Sequence, residues 1–260
     1  MSDILTDIGA NGVATVTMNR GEVHNAFNET VIADLTAAFE RLGRDPAVRL
    51  VVLRGTGKSF SAGADLSWMQ RMAGYGHEEN LADAMGLAAM LRAIDTCPKP
   101  TLAVVQGPAY GGGVGLVAAC DIAIASEGAS FALTEVKLGL IPAVIAPYVV
   151  AAMGERACRR YFLTAERFPA PEAYRLGLVH ELTPADGLDA AADAMIARLL
   201  EGGPASQSAA KELIRAVARR PTDEAVIRDT AERIARQRAS AEGKEGVGAF
   251  LGKRKPSWNR

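Results

Sequence analysis

Thr101-Leu102-Ala103-Val104-Val105-Gln106-Gly107-Pro108-Ala109-Tyr110-Gly111-Gly112-Gly113-Val114-Gly115-Leu116-Val117-Ala118-Ala119 is the stretch that decides the fold. Thr101 to Val105 is a continuous, largely β-branched run, the pattern of a strand covered on both faces. A glycine loop over Gly107–Gly113 follows, and Val114 to Ala119 reads as a short helix before a second apolar strand, Asp121 to Ala125. No residue from Pro100 to Cys120 is charged, but Gln106, Pro108 and five glycines argue against a membrane-spanning helix.

The same order of strand, glycine turn and helix occurs upstream. Arg49 to Arg54 is an apolar run with charged ends, Gly55 to Lys58 turns, and a helix begins near Asp65. Val13 to Met18 alternates apolar with polar or small residues, as a half-buried strand does. Val31, Leu35, Ala38, Phe39 and Leu42 recur at spacings of three and four, predicting a helix capped by Asn28 and stopped at Gly43. Phe131-Ala132-Leu133 is a further short strand. Alternating strands and helices imply an α/β fold with parallel pairing. Beyond Pro184 the strand signal ends, and residues 188–200, 204–219, 221–240 and 242–251 all read as helices.

Composition narrows the function classes. The 29 basic and 30 acidic side chains leave a net charge of −1, too little to grip nucleic acid or an anionic membrane. Cys97, Cys120 and Cys158 show neither metal-ligand spacing nor an even count, so reduced thiols are expected. The three histidines lack helical pairing, giving no metal site, and no G-x-S-x-G elbow supplies a serine nucleophile. Met1 to Ile4 has neither a basic region nor a long apolar run, so no secretory signal is expected and the chain reads as soluble and cytoplasmic. The Lys253-Arg254-Lys255 cluster is the sort usually found on a solvated tail.

Two turns could carry chemistry: Ser61-Ala62-Gly63-Ala64-Asp65 and Tyr110-Gly111-Gly112-Gly113-Val114-Gly115. Each follows a strand and opens a helix, where backbone N–H groups lack intrahelical partners and feel the positive end of the helix dipole. Two such donors brought together would form an oxyanion hole for the enolate of a thioester or another acyl compound. The plainer alternative is that these glycines only permit tight turns and close helix packing. A second alternative is dinucleotide binding, since Gly113-Val114-Gly115-Leu116-Val117-Ala118 fits G-x-G-x-x-A and Glu135 lies 22 residues after Gly113. The Pro-containing loop and the short helix weigh against it. Glu135 stands in an apolar stretch, where desolvation raises a carboxyl pKa and suits it to proton transfer. Its alternatives are an ion pair with Lys137 or a solvated loop end.

Taken together, these motifs resemble the crotonase, or enoyl-CoA hydratase/isomerase, superfamily. The likeness runs through Asn19-Arg20 and Asn25-Ala26, Phe60 to Leu66, Gln106-Gly107 with Gly111 to Gly113, Asp121 to Ala123, and Phe131 with Glu135. It continues through Leu138 to Pro142, Ala173 with Leu176 to Val179, and Phe250 with Lys253 to Lys255. The resemblance implies an acyl-CoA-binding α/β core of repeated ββα units over residues 1–203. It also implies a helical region over 204–260 that builds homotrimers, commonly paired into hexamers. It implies that the N–H groups of Ala64 and Gly112 hold the thioester oxygen and that Glu135 moves a proton at the α-carbon. Val23, Ala26, Ala62, Asp65, Leu66 and Gly111 would line the acyl-CoA, and Phe250 and Lys253 would reach that of a neighbouring subunit. No cofactor is implied, because CoA is part of the substrate.

Two departures bear on the reaction. Gly115 stands where two-glutamate hydratases of the family carry a second glutamate, and Ala143-Val144-Ile145-Ala146-Pro147 replaces a glycine-rich run. Phe131 to Val136, Ile141 to Ala143, and Asp65-Leu66 with Trp68-Met69 resemble bacterial methylglutaconyl- and isohexenylglutaconyl-CoA hydratases. The expected activity is therefore hydration of an enoyl-CoA, branched or carboxylated. The alternatives are Δ3,Δ2-enoyl-CoA isomerisation by one glutamate and a non-catalytic acyl-CoA- or RNA-binding role.

Overall fold

In the computed structural model, which describes residues 2–259, the chain opens with a hairpin of β1 (Ile4–Ile8) and β2 (Val13–Met18). Helix α1 (Glu29–Arg44) returns to β3 (Leu50–Gly55), and α2 (Leu66–Met72) and α3 (His77–Asp95) lead to β4 (Thr101–Val105). Short β5 (Ala109–Tyr110) precedes α4 (Gly112–Ala119), and β6 (Ile122–Ser126) is followed by β7 (Ser130–Ala132). Then come α5 (Ala146–Met153), α6 (Glu155–Thr164), β8 (Phe168–Pro169), α7 (Ala170–Leu176) and β9 (Glu181–Thr183). Four helices close the chain: α8 (Leu188–Leu200), α9 (Pro204–Val217), α10 (Glu224–Ala239) and α11 (Ala241–Leu251).

The main sheet has the order β1-β2-β3-β4-β6-β9 and is parallel except for the β1–β2 hairpin. The apolar runs are continuous because both faces are covered. Val51, Leu53, Ala103, Val105, Ala123 and Ala125 face the larger core, built with α1, α3, α4 and α5. Leu50, Val52, Leu102, Val104 and Ile124 face the other way, onto Leu188 and Ala192 of α8. A second, smaller layer runs across the carboxyl ends of these strands. Ser61 bridges Ala109 in parallel, β5 pairs with β7 in parallel, and β7 pairs with β8 antiparallel. The repeated unit is thus a core strand, a short second-layer segment and then a helical turn.

The last helices are tied to the opposite end of the sheet. Arg49, which precedes β3, donates to the carbonyls of Leu200 (3.2 Å), Gly202 (2.8 Å) and Trp258 (3.2 Å). Lys211 of α9 pairs with Asp121 at 2.5 Å and donates to the Lys99 carbonyl at 2.9 Å, residues that precede β6 and β4. The outer faces of these helices leave Ile214, Ile227, Ile234, Val247, Phe250 and Leu251 exposed.

Some boundaries moved from expectation. Helix α4 starts at Gly112, two residues before Val114. Gly43 does not stop α1; it lies inside the helix, where a Cβ would stand only 3.0 Å from Pro98 Cδ, so it serves packing. Helix α10 starts at Glu224 rather than 221, because the Asp223 side chain caps the Val226 N–H at 2.9 Å. β1 and α3 carry no clear sequence signal and appear only in the structure. No helix among the described residues is long and apolar enough to cross a membrane.

Candidate active site

The first turn is held from below by buried polar side chains. The Asn25 carboxamide donates to the carbonyls of Thr56 and Ser59, both at 2.8 Å, and accepts from Arg20 N at 3.0 Å. Phe27 then stitches the turn with its own backbone. Its N–H donates to Gly63 O at 2.8 Å, and its carbonyl accepts from Asp65 N at 3.0 Å. In this parallel bridge the residue between the two bonds, Ala64, has its N–H directed away from Phe27. That N–H meets no acceptor among the described residues. Gly63 adopts φ +83°, a left-handed conformation that favours glycine.

The second turn lies against the first. Tyr110 N donates to Ser61 O at 2.9 Å, and Gly111 N to Ala132 O at 2.8 Å. Gly112 is the first residue of α4, and its N–H likewise meets no acceptor among the described residues. A Cβ placed on Gly63 would stand 3.2 Å from the Gly112 amide nitrogen, which shows how closely the two turns approach. Two unpartnered peptide donors, one at a helix N-terminus, are therefore brought side by side. Gly113 and Gly115 lie within α4 rather than in a loop ahead of it, packed on the Ser61 carbonyl and on Ile145. They serve helix packing, so the dinucleotide alternative loses the phosphate loop it requires.

Glu135 sits at the corresponding place in the third unit. In the register Ser61↔Ala109↔Phe131, Ala64 and Gly112 come three residues later and Glu135 four. It opens the helical turn Glu135–Leu138, and its Oε1 lies 3.3 Å from the position of a Cβ on Gly111. Its Oε2 is buried with no hydrogen-bond partner, and it has no ion pair among the described residues. Lys137 is exposed. Burial accordingly pushes the Glu135 carboxyl above its ordinary value. Asp65, one residue from Ala64, has the opposite environment. Ser67 donates to it through both hydroxyl and N–H, and Arg20 Nη2 lies 3.0 Å away, holding it below its ordinary value despite desolvation.

The other expected residues divide into two groups. Val23 ends the exposed turn Gly21–Val23, and Ala26 gives its carbonyl to Arg20 Nη1 at 2.5 Å. Ala62 N donates to His24 O at 2.9 Å, and exposed Leu66 begins α2. Ala62, Asp65 and Leu66 flank Ala64 in the chain, Gly111 precedes Gly112, and Ala26 precedes Phe27, which bonds on both sides of Ala64. Phe250, 82% exposed, and Lys253 belong to the tail, anchored at the other end of the sheet, so one chain does not bring them to its own turns.

Residues that sequence reasoning passed over are Phe27, Ile145 and Leu91. A Cβ on Gly112 would overlap the Phe27 ring, and one on Gly115 would overlap Ile145 and stand 3.6 Å from Leu91 Cδ2. Only the spacing of glycines opposite unspecified apolar residues hinted at this. Among the described residues no three His, Cys, Asp or Glu side chains gather as a metal-ligand set. Two grooves elsewhere, about 670 Å³ between α1 and α3 and about 580 Å³ beside α6 and α7, are not lined by Ala64, Gly112 or Glu135.

Residues 9–260 match the sequence profile of the Enoyl-CoA hydratase/isomerase family. A Thermus thermophilus protein, provisionally named an enoyl-CoA hydratase, is 38% identical over 94% of this chain and 96% of its own. A crystal structure of an enoyl-CoA hydratase from Shewanella pealeana superposes with a TM-score of 0.96 at 46% identity, covering 99% of this chain and 96% of the other. A Legionella pneumophila structure, provisionally named an enoyl-CoA hydratase/isomerase (crotonase), reaches 0.94 at 47% identity over 100% of both chains. With its paired turns, its isolated carboxylate and these likenesses along its whole length, the chain belongs to the enoyl-CoA hydratase/isomerase family, the crotonase superfamily.

Proposed function

We propose that the protein hydrates the α,β double bond of an enoyl-CoA thioester. The observation that carries this reading is the close approach of two unpartnered peptide donors, Ala64 N–H and Gly112 N–H, beside half-buried Glu135, whose Oε2 is buried without a partner. The thioester oxygen takes the place of the acceptor the donors lack, and the developing enolate is stabilised by about 3–4 kcal/mol per donor. Water adds its oxygen at the β-carbon and gives a proton to the Glu135 carboxylate. The carboxyl group delivers a proton to the α-carbon, so one carboxylate balances the addition. Desolvation favours this role, because it keeps the acid form accessible nearer to neutral pH.

Gly115 and Ile145 shape the finer reading. Ile145 occupies the space a side chain at position 115 would need, so this wall offers water no carboxylate. A substrate carrying its own carboxylate, such as 3-methylglutaconyl-CoA, would supply a polar partner there. The same wall favours the second reading, Δ3,Δ2-enoyl-CoA isomerisation, in which Glu135 carries a proton between two carbons and no water is needed. CoA enters with the substrate, along Val23, Ala26, Ala62, Asp65, Leu66 and Gly111, and no separate cofactor is invoked. We further propose that residues 204–260 form the oligomerisation region of a homotrimer or a hexamer of paired trimers. Phe250 and Lys253 then meet the CoA of a neighbouring subunit, the ring on its apolar part and the ammonium on phosphate.

The deciding experiment incubates crotonyl-CoA, 3-methylglutaconyl-CoA and a 3-enoyl-CoA separately and reads the products by NMR. A hydroxyl at the β-carbon supports hydration. A migrated double bond without added oxygen supports isomerisation, and no turnover of any of the three refutes both.

A further inference from the structure

Phe27 touches both donor turns, one with its backbone and the other with its ring. Its N–H and carbonyl fix Gly63 and Asp65 on either side of Ala64. Its ring lies so close to Gly112 that a Cβ there would overlap Cζ and stand 3.1 and 3.3 Å from Cε2 and Cε1. Gly112 does not have a left-handed φ, unlike Gly63 and Gly111. Its backbone could therefore carry a side chain, and the space taken by the Phe27 ring is what requires glycine.

The ring is itself braced. Trp68, 3% exposed, packs on it with ring centroids 6.3 Å apart and an interplanar angle of 51°. Trp68 Nε1–H donates to Asp83 Oδ1 of α3 at 3.0 Å. Outside Trp68, Arg71 Nη2 reaches both Glu29 carboxylate oxygens at 2.8 and 2.7 Å, fixing α2 to the start of α1. A line of contacts thus runs from Asp83 through Trp68 and Phe27 to the Cα side of Gly112.

We infer that Phe27 is a positioning residue that sets the spacing between the two oxyanion donors, and that Trp68, held by Asp83, keeps its ring against Gly112. This inference rests on the reading that Ala64 and Gly112 hold the thioester oxygen. Preorganised donors work only where their positions are fixed, and a misplacement of about 1 Å can cost on the order of 100-fold in rate. Phe27→Leu shortens the side chain and leaves the backbone bonds at Ala64 in place, so it loosens the Gly112 donor alone.

The test combines kinetics on crotonyl-CoA with the infrared carbonyl band of bound butanoyl-CoA labelled with 13C at the thioester carbon. In Phe27→Leu, kcat is expected to fall about 10- to 100-fold with KM within about two-fold, and the carbonyl band to move back toward its value in water. Trp68→Phe keeps a ring but removes the Asp83 bond, and should lower kcat on the order of 3-fold. Gly112→Ala should cost less kcat in the Phe27→Leu background than alone, because the atom it would overlap is gone. Equal costs of Gly112→Ala in both backgrounds, or a carbonyl band fully retained in Phe27→Leu, overturn the role of Phe27. A carbonyl band with no shift in the unsubstituted protein overturns the oxyanion reading itself, a separate failure.

Discussion

The two ends of the parallel sheet are finished in different ways. At the carboxyl ends of β3, β4 and β6 the Ala64 and Gly112 N–H groups and Glu135 Oε2 are left without partners among the described residues, and Leu66, Leu138 and Ile141 near them are exposed. At the amino ends Lys211 lies on Asp121 and the terminal nitrogens of Arg49 on three carbonyls, and Arg49 Nε alone of these side-chain nitrogens is buried without a partner among the described residues. The helices packed there also leave a row of apolar side chains uncovered, Ile214, Val247, Phe250 and Leu251 among them. Each deficit names what must come from outside. A preorganised donor without a partner or a buried carboxylate oxygen asks for a ligand atom, whereas uncovered apolar helix faces ask for another protein surface.

The strongest way to break this contrast is Glu135→Gln. The side chain keeps its size but cannot exchange the proton, so kcat should fall about 10²- to 10⁴-fold while acyl-CoA binding changes little. Turnover near that of the unsubstituted protein would remove Glu135 from the mechanism. Stability should move the other way. The folded state raises the Glu135 pKa above its unfolded value, so stability falls as pH rises from the ordinary carboxylate range through the raised pKa. The Gln variant lacks that ionisation, and its Tm should exceed that of the unsubstituted protein at neutral pH, with the gap closing in acid. Thermal melts between about pH 4 and 7 check the sign.

At the other end, Phe250→Ser sharpens the comparison. On a lone chain an exposed apolar-to-polar change is worth about ±0.5 kcal/mol or less. If Phe250 is covered by a second copy, the concentration for half-assembly should rise at least about 10-fold. Light scattering over a dilution series separates the two, and an unchanged mass at all concentrations would count against the interface. Lys253→Glu should weaken CoA binding through lost phosphate attraction, by a factor that shrinks as salt is raised from about 0.05 to 0.5 M. A salt-independent loss would instead indicate a packing role.

How much of this was readable in the sequence follows from what each feature depends on. Strands β2, β3, β4 and β6 announce themselves because they are buried on one or two faces, which writes a period into a few adjacent residues. The four final helices were readable from their apolar stripes, but the Asp223 cap that sets the start of α10 at 224 was not. β1 was not, since its pattern is mostly exposed and its sole strand partner is β2. The two turns were legible as places where glycine is needed, but not why. Gly63 and Gly111 need a left-handed φ, Gly112 needs room for Phe27, and Gly115 needs room for Ile145. Nothing in a linear sequence pairs residue 27 with 112 or 145 with 115, because those contacts are made by tertiary packing. Glu135 could be picked out by its apolar neighbours. That Lys137 leaves it unpaired emerges only once the chain is folded.

The smallest expected effect concerns Asp65, the carboxylate whose surroundings are the reverse of those of Glu135. Ser67 and Arg20 both donate to it, and they hold its folded pKa below the ordinary aspartate value. Asp65→Asn keeps an oxygen to cap α2 through Ser67 N but removes the charge facing Arg20. The loss should be about 1 kcal/mol, the scale of one partly exposed charge-assisted bond. Because the folded pKa is depressed, the contribution is fully present above the unfolded value and is lost as pH falls through the folded one. The stability gap between Asp65→Asn and the unsubstituted protein should therefore be widest at neutral pH and shrink toward about pH 3. Denaturant melts at both ends of that range measure it. Asp65 N also fixes the far side of Ala64 through Phe27 O, a bond the substitution leaves in place, so kcat should fall only a few-fold. A gap that stays constant with pH would mean that the Arg20 pair is incidental and that the stitch to Phe27 alone holds the donor turn.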